Sequence, residues 1–503
     1  MTSLARPNTQ EFWFLTGSQH LYGDETLAQV AENSQRIAAS IDGAGKLDAK
    51  VVWKPVLTSP EAIENVCLAA NSAPECAGVI TWMHTFSPAK MWIGGLTRLQ
   101  KPLAHLHTQF NRELPWGEID MDFMNLNQSA HGDREYGFIG ARLRLSRKVV
   151  VGHWQDPGVL EELASWSRGA LSVAESRKLK IARFGGMNMR EVAVTGGDRV
   201  EAQIKLGWSI NGYGVGDLVA RIAEVTDSQV DRLVEEYEDS YTLVASLLPG
   251  GEKRESLRYA ARQEIAMRAF LEEGGFGAFT TTFEDLHGLK QLPGFASQRL
   301  MAQGYGFGAE GDWKTAALVR LGKVMTGDRP GGVSFIEDYT YHLVQGKERI
   351  LGAHMIEVCP SIADGKPSLE VHELTIGGKA DLPRLVFNAS PGPAVNATLL
   401  DVGGRMRMII AELDVVSPDH AMPKLPTARA VWIPRPDFKR GAQGWIEAGG
   451  GHHSAFCQAV TASEWEDFGD MAGLEVVRLG ADLDLRTLRK ELRWNDLAFK
   501  LGQ

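Results

Sequence analysis

The sequence predicts an α/β protein built on parallel sheets in its first two-thirds, followed by a mainly antiparallel sheet or barrel. Three observations predict it. Up to about residue 330, apolar runs alternate with longer helical patterns. Those runs are apolar on successive residues, as in parallel strands covered on both faces. Beyond that point short apolar runs dominate and are broken by Gly and Pro, the spacing of antiparallel strands.

In order along the chain, Phe12-Trp13-Phe14-Leu15-Thr16-Gly17 reads as a buried strand and Glu25–Ile41 as a helix. Val51-Val52-Trp53 is a second strand. Ser59-Pro60-Glu61 then supplies an N-cap with proline at the first helical position, where its missing N–H would have had no partner. Gly78–Trp82 is a third strand, and Ser87-Pro88 repeats the helix-start chemistry before Ala89–Leu99. Pro102–His107 and Lys148–Val151 are further strands. From Leu179–Phe184 the same alternation resumes, with helices over Asp227–Leu247 and Glu255–Glu273 and a strand at Gly277–Phe283. An amphipathic helix covers Asp312–Val324. In the last third, Arg349–Val358, Arg384–Asn388, Met406–Leu413 and Ala428–Ile433 are the expected strands. The 503 residues divide into 1–180, 181–330 and 331–503, consistent with roughly 100–200 residues per domain.

Lys and Arg total 53 against 63 acidic residues, a net charge of −10. This gives no electrostatic reason to expect nucleic acid or an anionic membrane as partner. Cys67, Cys76, Cys359 and Cys457 are scattered without C-x-x-C spacing, which argues against a zinc-thiolate site and a disulfide framework. The N-terminus has no apolar stretch of the signal-peptide kind, and no apolar run approaches the roughly 20 residues of a spanning helix. The expectation is a cytoplasmic protein with a small-molecule partner.

Four constellations carry candidate chemistry. Glu310 lies in Gly308-Ala309-Glu310-Gly311-Asp312, just before a helix with Asp312 as N-cap; an ordinary capping turn would also use such acids. Glu337 ends the apolar run Ser334-Phe335-Ile336, with Asp338 and His342 close behind, and an exposed strand-end acid would look the same. His354 shares a strand face with Ile350, Gly352 and Ile356, where a core histidine is the commoner occupant. Gly449-Gly450-Gly451 precedes His452-His453, a loop that brings imidazole close to something. Together they offer carboxylates and imidazoles, a set suited to Mn²⁺, Co²⁺, Mg²⁺ or Fe²⁺. None shares a helix, so only the fold can unite them.

Gly306-Phe307-Gly308-Ala309-Glu310-Gly311 matches G-x-G-x-x-G, yet no clear strand leads into it and its carboxylate would repel a pyrophosphate. No G-x-x-x-x-G-K-[ST] and no G-x-S-x-G in a strand–helix setting is present, so nucleotide binding and serine hydrolysis lack a signal.

Longer segments carry a resemblance. They are Gly17-Ser18-Gln19-His20-Leu21-Tyr22-Gly23, Trp82–Trp92, Asp120–Gln128 with His131, Asn188–Val194 and Thr280–Pro293, together with the four constellations. In this order, over nearly the whole chain, they resemble the L-arabinose isomerase family. Two departures are minor: Gly-Gly-Gly-His-His where the family often has Gly-Gly-Ala-His-His, and one extra residue around Gly186-Met187. The resemblance implies two Rossmann-like parallel-sheet domains followed by a mainly antiparallel β-barrel domain, the fucose/arabinose isomerase-like fold. It implies a divalent metal, Mn²⁺ with Co²⁺ or another as alternative, held by Glu310, Glu337, His354 and one of the paired histidines, His453. It implies Glu310 and Glu337 as the acid–base pair, and Gln19, Leu21, Gln128, His131, Met189, Phe283 and Ile376 as the lining of the sugar pocket. It further implies a homotrimer or homohexamer with active sites completed by a neighbouring subunit.

The implied reaction converts L-arabinose to L-ribulose, the first step of L-arabinose catabolism, with D-galactose to D-tagatose as a side activity. Such isomerisation moves one proton between C2 and C1 and another between two oxygens, by way of a cis-enediol. A divalent metal polarises the sugar oxygens and a carboxylate pair moves the protons. The rival expectations are the same chemistry on another aldose such as L-fucose, and a two-lobed sugar-binding module without catalysis.

Overall fold

The computed structural model describes residues 4, 9–86, 88–186, 188–374 and 378–502. The chain forms two compact units, one comprising residues 6–174 and 467–473, the other 1–5, 175–466 and 474–503.

In the first unit five strands form one parallel sheet, in the order Lys50–Trp53, Glu11–Gly17, Cys76–Met83, Leu103–His107 and Lys148–Val151. Their side chains are buried on both faces along Glu11–Gly17 and Cys76–Met83, which is why the sequence shows unbroken apolar runs there. Helices Gly23–Gly43, Pro60–Ser72, Ser129–Arg142 and Pro157–Ser176 cover the sheet's connections. Pro60–Ser72 starts as expected, with the Ser59 hydroxyl accepting from Ala62 N and proline at N1. Ala89–Arg98 is instead a 3-10 turn, Ala89–Trp92, running into a short helix, Ile93–Arg98.

The second unit holds a four-stranded parallel sheet, in the order Gly306–Gly308, Ala278–Thr281, Lys180–Phe184 and Ser209–Tyr213. It also holds a closed antiparallel barrel. Gly392–Asp401, His453–Cys457, Val333–His342, Arg349–Ala353, Arg429–Pro434 and Met406–Val416 pair in that order, and Met406–Val416 pairs back onto Gly392–Asp401. Closure leaves none of these six strands an open edge except where Glu475–Leu479 adds in parallel to Met406–Val416. The helix Trp313–Thr326 packs against strands of both the parallel sheet and the barrel and is buried along almost its whole length. The fold class read from the sequence is therefore the fold observed: parallel α/β sheets, then an antiparallel barrel.

Three local expectations need correction. The helix from Asp227 stops at Ser240, not Leu247. Tyr241 is extended, and Thr242–Leu243 pairs with Ser368 and Leu369; the sheet ladder takes the backbone groups that a longer helix would have used. The strand from Arg349 ends at Ala353, so His354 is not a strand residue. There side chains replace the ladder: the Thr427 hydroxyl donates to the His354 carbonyl and the Glu357 carboxylate accepts from Ile356 N. Finally, a strand does lead into the Glu310 loop, Gly306–Gly308. A Cβ at Gly306 would come 2.0 Å from Ala316 O, and one at Gly308 2.2 Å from Asp312 O. These glycines let the strand lie directly on helix Trp313–Thr326, and a three-residue strand with glycine at both ends leaves no apolar pattern to read. Among the described residues no helix is long and apolar enough to cross a membrane.

Candidate metal and acid–base site

Glu310, Glu337, His354 and His453 all belong to the second unit, and the strand register explains how they meet. Glu337 lies opposite His453 on one neighbouring strand and opposite Ala353, the residue before His354, on the other. A register shift follows immediately, between Asp338 and Thr340, so the strand changes course just past the site. His453 opens its strand after the glycine triplet. A Cβ at Gly450 would come 2.3 Å from Trp445 Nε1, and that indole N–H donates to Gly451 O at 2.8 Å. The turn delivering the histidine pair is thus packed onto Trp445.

Glu310 arrives from the other side, in the loop between strand Gly306–Gly308 and helix Trp313–Thr326. Its φ is +59°, a left-handed conformation that costs a non-glycine residue about 1–3 kcal/mol. The loop is held there by Gly311 N donating to Thr281 O and Asp312 N to Ala309 O. Asp312 caps the helix through Lys314 N and Thr315 N.

The result is a cluster in which Glu310, His354 and His453 each offer a ligand atom, all within 4.8 Å of one another. Glu337 stands beside that trio, its Oε2 3.9 Å from His354 Nε2. Phe335 floors the site, its ring 4.9 Å from that of His354 and 4.8 Å from that of His453. Both imidazoles are oriented by carboxylates. His354 Nδ1 donates to Glu357 and His453 Nδ1 donates to Asp312 Oδ2 at 3.1 Å. Each Nδ1 contact turns Nε2 toward the cluster, the nitrogen with which an imidazole so held would bind a metal.

Two buried atoms at the centre, Glu310 Oε2 and His453 Nε2, have no hydrogen-bond partner among the described residues and lie 3.8 Å apart. Unpaired buried acceptors facing one another are costly unless something positive stands between them. The donor set of oxygen and imidazole nitrogen fits a divalent cation of the Mn²⁺ or Co²⁺ kind.

The charge balance of the site follows from its contents. Burial would raise the Glu310 carboxyl, but His452, His453 and His354 hold it below the ordinary carboxylate range. Asp312 is likewise buried yet lowered, by Lys314 and His453. Burial lowers His453. His354, equally buried, is raised because Glu357, Glu337 and Glu310 outweigh its desolvation. Asp338 is pushed up to about 7 by burial and by Glu337 beside it.

Of the adjacent histidines, His453 is in the trio, while His452 is more exposed and puts its Nε2 3.6 Å from Glu310 Oε2. Sequence reasoning read Asp312 only as a cap and passed over Glu357. The signal was present in the spacing, an acid two residues after Glu310 and another three residues after His354.

The residues expected to line a sugar pocket fall in both units. In the first, Gln19, Gln128 and His131 gather around Tyr22 and Phe86. Gln19 Nε2 donates to Phe86 O at 2.6 Å, Tyr22 OH to Gln128 Oε1 at 3.2 Å, and the His131 ring meets Phe86 edge-on at 5.4 Å. Leu21 projects into solvent, 72% exposed. The helix carrying His131 is seated closely, since a Cβ at Gly132 would come 1.8 Å from Thr85 O. Beneath it the buried Asp133, unremarked in the sequence, accepts from Met83 N, His105 Nε2 and His107 Nδ1. In the second unit, the loops bearing Met189 and Phe283 are tied by Arg190 N donating to Glu284 Oε2. Ile376 lies outside the described residues.

Comparison with known proteins bears on all of this. Residues 6–178 match the L-arabinose isomerase N-terminal domain, 180–328 the central domain and 332–475 the C-terminal domain. The L-arabinose isomerase of Geobacillus stearothermophilus is 60% identical over 490 residues, covering 97% of this chain and 98% of that protein. That of Anoxybacillus flavithermus is 60% identical over 494 residues, 98% of each chain. That of Nocardioides sp. is 56% identical over 497 residues, 99% of each. With all three family domains present in order and such relatives matched end to end, the chain belongs to the L-arabinose isomerase family and is an aldose–ketose isomerase.

Proposed function

We propose that this chain interconverts L-arabinose and L-ribulose through a cis-enediol, with Glu310, Glu337, His354 and His453 holding a divalent cation, Mn²⁺ first among the candidates. The observation that carries the reading is the pair of unpartnered buried atoms, Glu310 Oε2 and His453 Nε2, beside imidazoles already fixed through Nδ1. A bound divalent cation supplies charge stabilisation where the sugar oxygens gain negative charge.

The chain's own residues do the rest. One carboxylate of the Glu310–Glu337 pair takes the C2 proton and returns it to C1; the other moves the hydroxyl proton. Glu310 is suited to accept a proton because three histidines keep it ionised despite burial. Phe335 excludes water beneath the imidazoles. Gln19, Leu21, Gln128, His131, Met189, Phe283 and Ile376 line the sugar pocket in this reading. A homotrimer or homohexamer with sites completed by a neighbouring subunit, as the family resemblance implies, belongs to the proposal. So do the division at 180 and 330, the place at the start of L-arabinose catabolism in the cytoplasm, and slower turnover of D-galactose to D-tagatose.

The test is a panel of L-arabinose, D-galactose and L-fucose under one buffer with Mn²⁺. L-Arabinose is expected to give the highest kcat/KM, with D-galactose slower. Preference for L-fucose would overturn the substrate assignment while leaving the reaction class intact.

A further inference from the structure

A second cavity shares no residue with the site above. It is an open cleft of about 900 Å³ between the helices Val215–Glu224 and Arg254–Gly274, bounded by Lys290 and the segment Lys379–Asp381. In a chain of net charge −10, five cationic side chains line it, Lys253, Arg258, Arg262, Lys290 and Lys379, against only Glu255 and Asp381.

Three of the five are neutralised. Arg258 and Arg262 both pair with Asp227, Arg258 also with Asp231, and Lys253 lies 3.1 Å from Asp381. The other two are not. Lys379 Nζ donates to the carbonyls of Leu286 and Leu289, at 2.8 and 3.0 Å, and has no carboxylate partner among the described residues. Lys290 Nζ stands 5.6 Å over the Tyr259 ring, and among the described residues it has no carboxylate partner. The lining also includes an apolar stretch, Val219, Ile222 and Ala223, from helix Val215–Glu224.

We infer that this cleft binds a small phosphate ester. Two ammonium groups without a carboxylate partner among the described residues match the roughly −1.5 to −2 charge of a phosphate monoester at neutral pH. The apolar stretch and the Tyr259 ring provide a surface for the organic part of the ligand. The backbone segments bearing Lys290 and Lys379 are tied together by Ala380 N donating to Lys290 O, and Lys290 N donates to the Tyr259 hydroxyl beneath it.

The test is calorimetric titration of the metal-loaded full chain, dialysed free of excess metal, with glucose 6-phosphate, inorganic phosphate and glucose. Saturable binding of glucose 6-phosphate is expected and none of glucose. Inorganic phosphate binding equally would mean the phosphate alone is recognised; weaker binding would mean the organic part contributes. Lys290→Glu, and more mildly Lys290→Ala, should weaken glucose 6-phosphate by about tenfold or more while isomerase turnover stays unchanged. Absence of saturation with both anions overturns the inference. So does an affinity that neither variant alters, or one abolished by L-arabinose, which would put the anion in the sugar site.

Discussion

His354 gives its Nδ1 proton to Glu357, three residues further along the chain, and so presents Nε2 toward Glu337 at 3.9 Å. Glu357 itself is anchored by Ile356 N. Rotating the imidazole would break its bond to this buried carboxylate, which makes its orientation part of the site's construction.

Glu357→Ala removes that anchor without touching the four candidate ligands. Mn²⁺ affinity is expected to fall about 10–100-fold, as for outer partners of metal-binding histidines, with turnover recovering at saturating Mn²⁺. Titration calorimetry on the stripped protein measures it. Unchanged affinity would mean that the Glu357 contact does not orient His354.

Glu310→Gln and Glu337→Gln keep the shape of each side chain and remove its basicity. Each is expected to cost at least about 10²–10⁴ in kcat, the usual worth of a positioned acid or base. Near-normal turnover in either variant, by ketose assay, would exclude that residue from proton transfer.

The adjacent histidines should separate. His453 is buried in the ligand trio and held by Asp312, whereas His452 is a third exposed, at 33%. His453→Ala is expected to abolish tight Mn²⁺ binding, while His452→Ala retains it. The reverse order would reassign the ligand.

In the first unit, burial holds the His84 imidazole down at about 4. The unfolded chain takes up this proton below about 6.5, the folded chain only near 4. Between these values the unfolded state binds more protons, so stability falls as pH drops through the window and is fully present above it. Thermal melting across that range should show a shallower acid loss in His84→Gln than in the parent. Parallel curves would remove His84 as the cause.

Much of this was legible in the sequence. Unbroken apolar runs such as Phe12–Leu15 announce strands buried on two faces, and Ser59-Pro60 announces a helix start. What stayed hidden depends on contacts distant in the chain. Gly306–Gly308 is a strand through its pairing with the distant Ala278–Thr281, and its glycines let helix Trp313–Thr326 lie against it. The span after His354 leaves the ladder because Thr427 and Glu357 satisfy its backbone. Glu337, His354 and His453 are joined by pairings of Glu337 with two different strands, and Glu310 reaches them from a separate loop, which no local pattern encodes. Asp133 illustrates the same limit, since its partners Met83, His105 and His107 lie 50, 28 and 26 residues away.

The central claim is that the cluster of Glu310, Glu337, His354 and His453 isomerises L-arabinose only with a divalent cation in place. The most direct measurement strips the purified protein with EDTA, adds L-arabinose, and follows ketose formation with and without Mn²⁺. Ketose appearing only when Mn²⁺ is restored is the predicted result. Undiminished ketose formation by the stripped protein would contradict the claim.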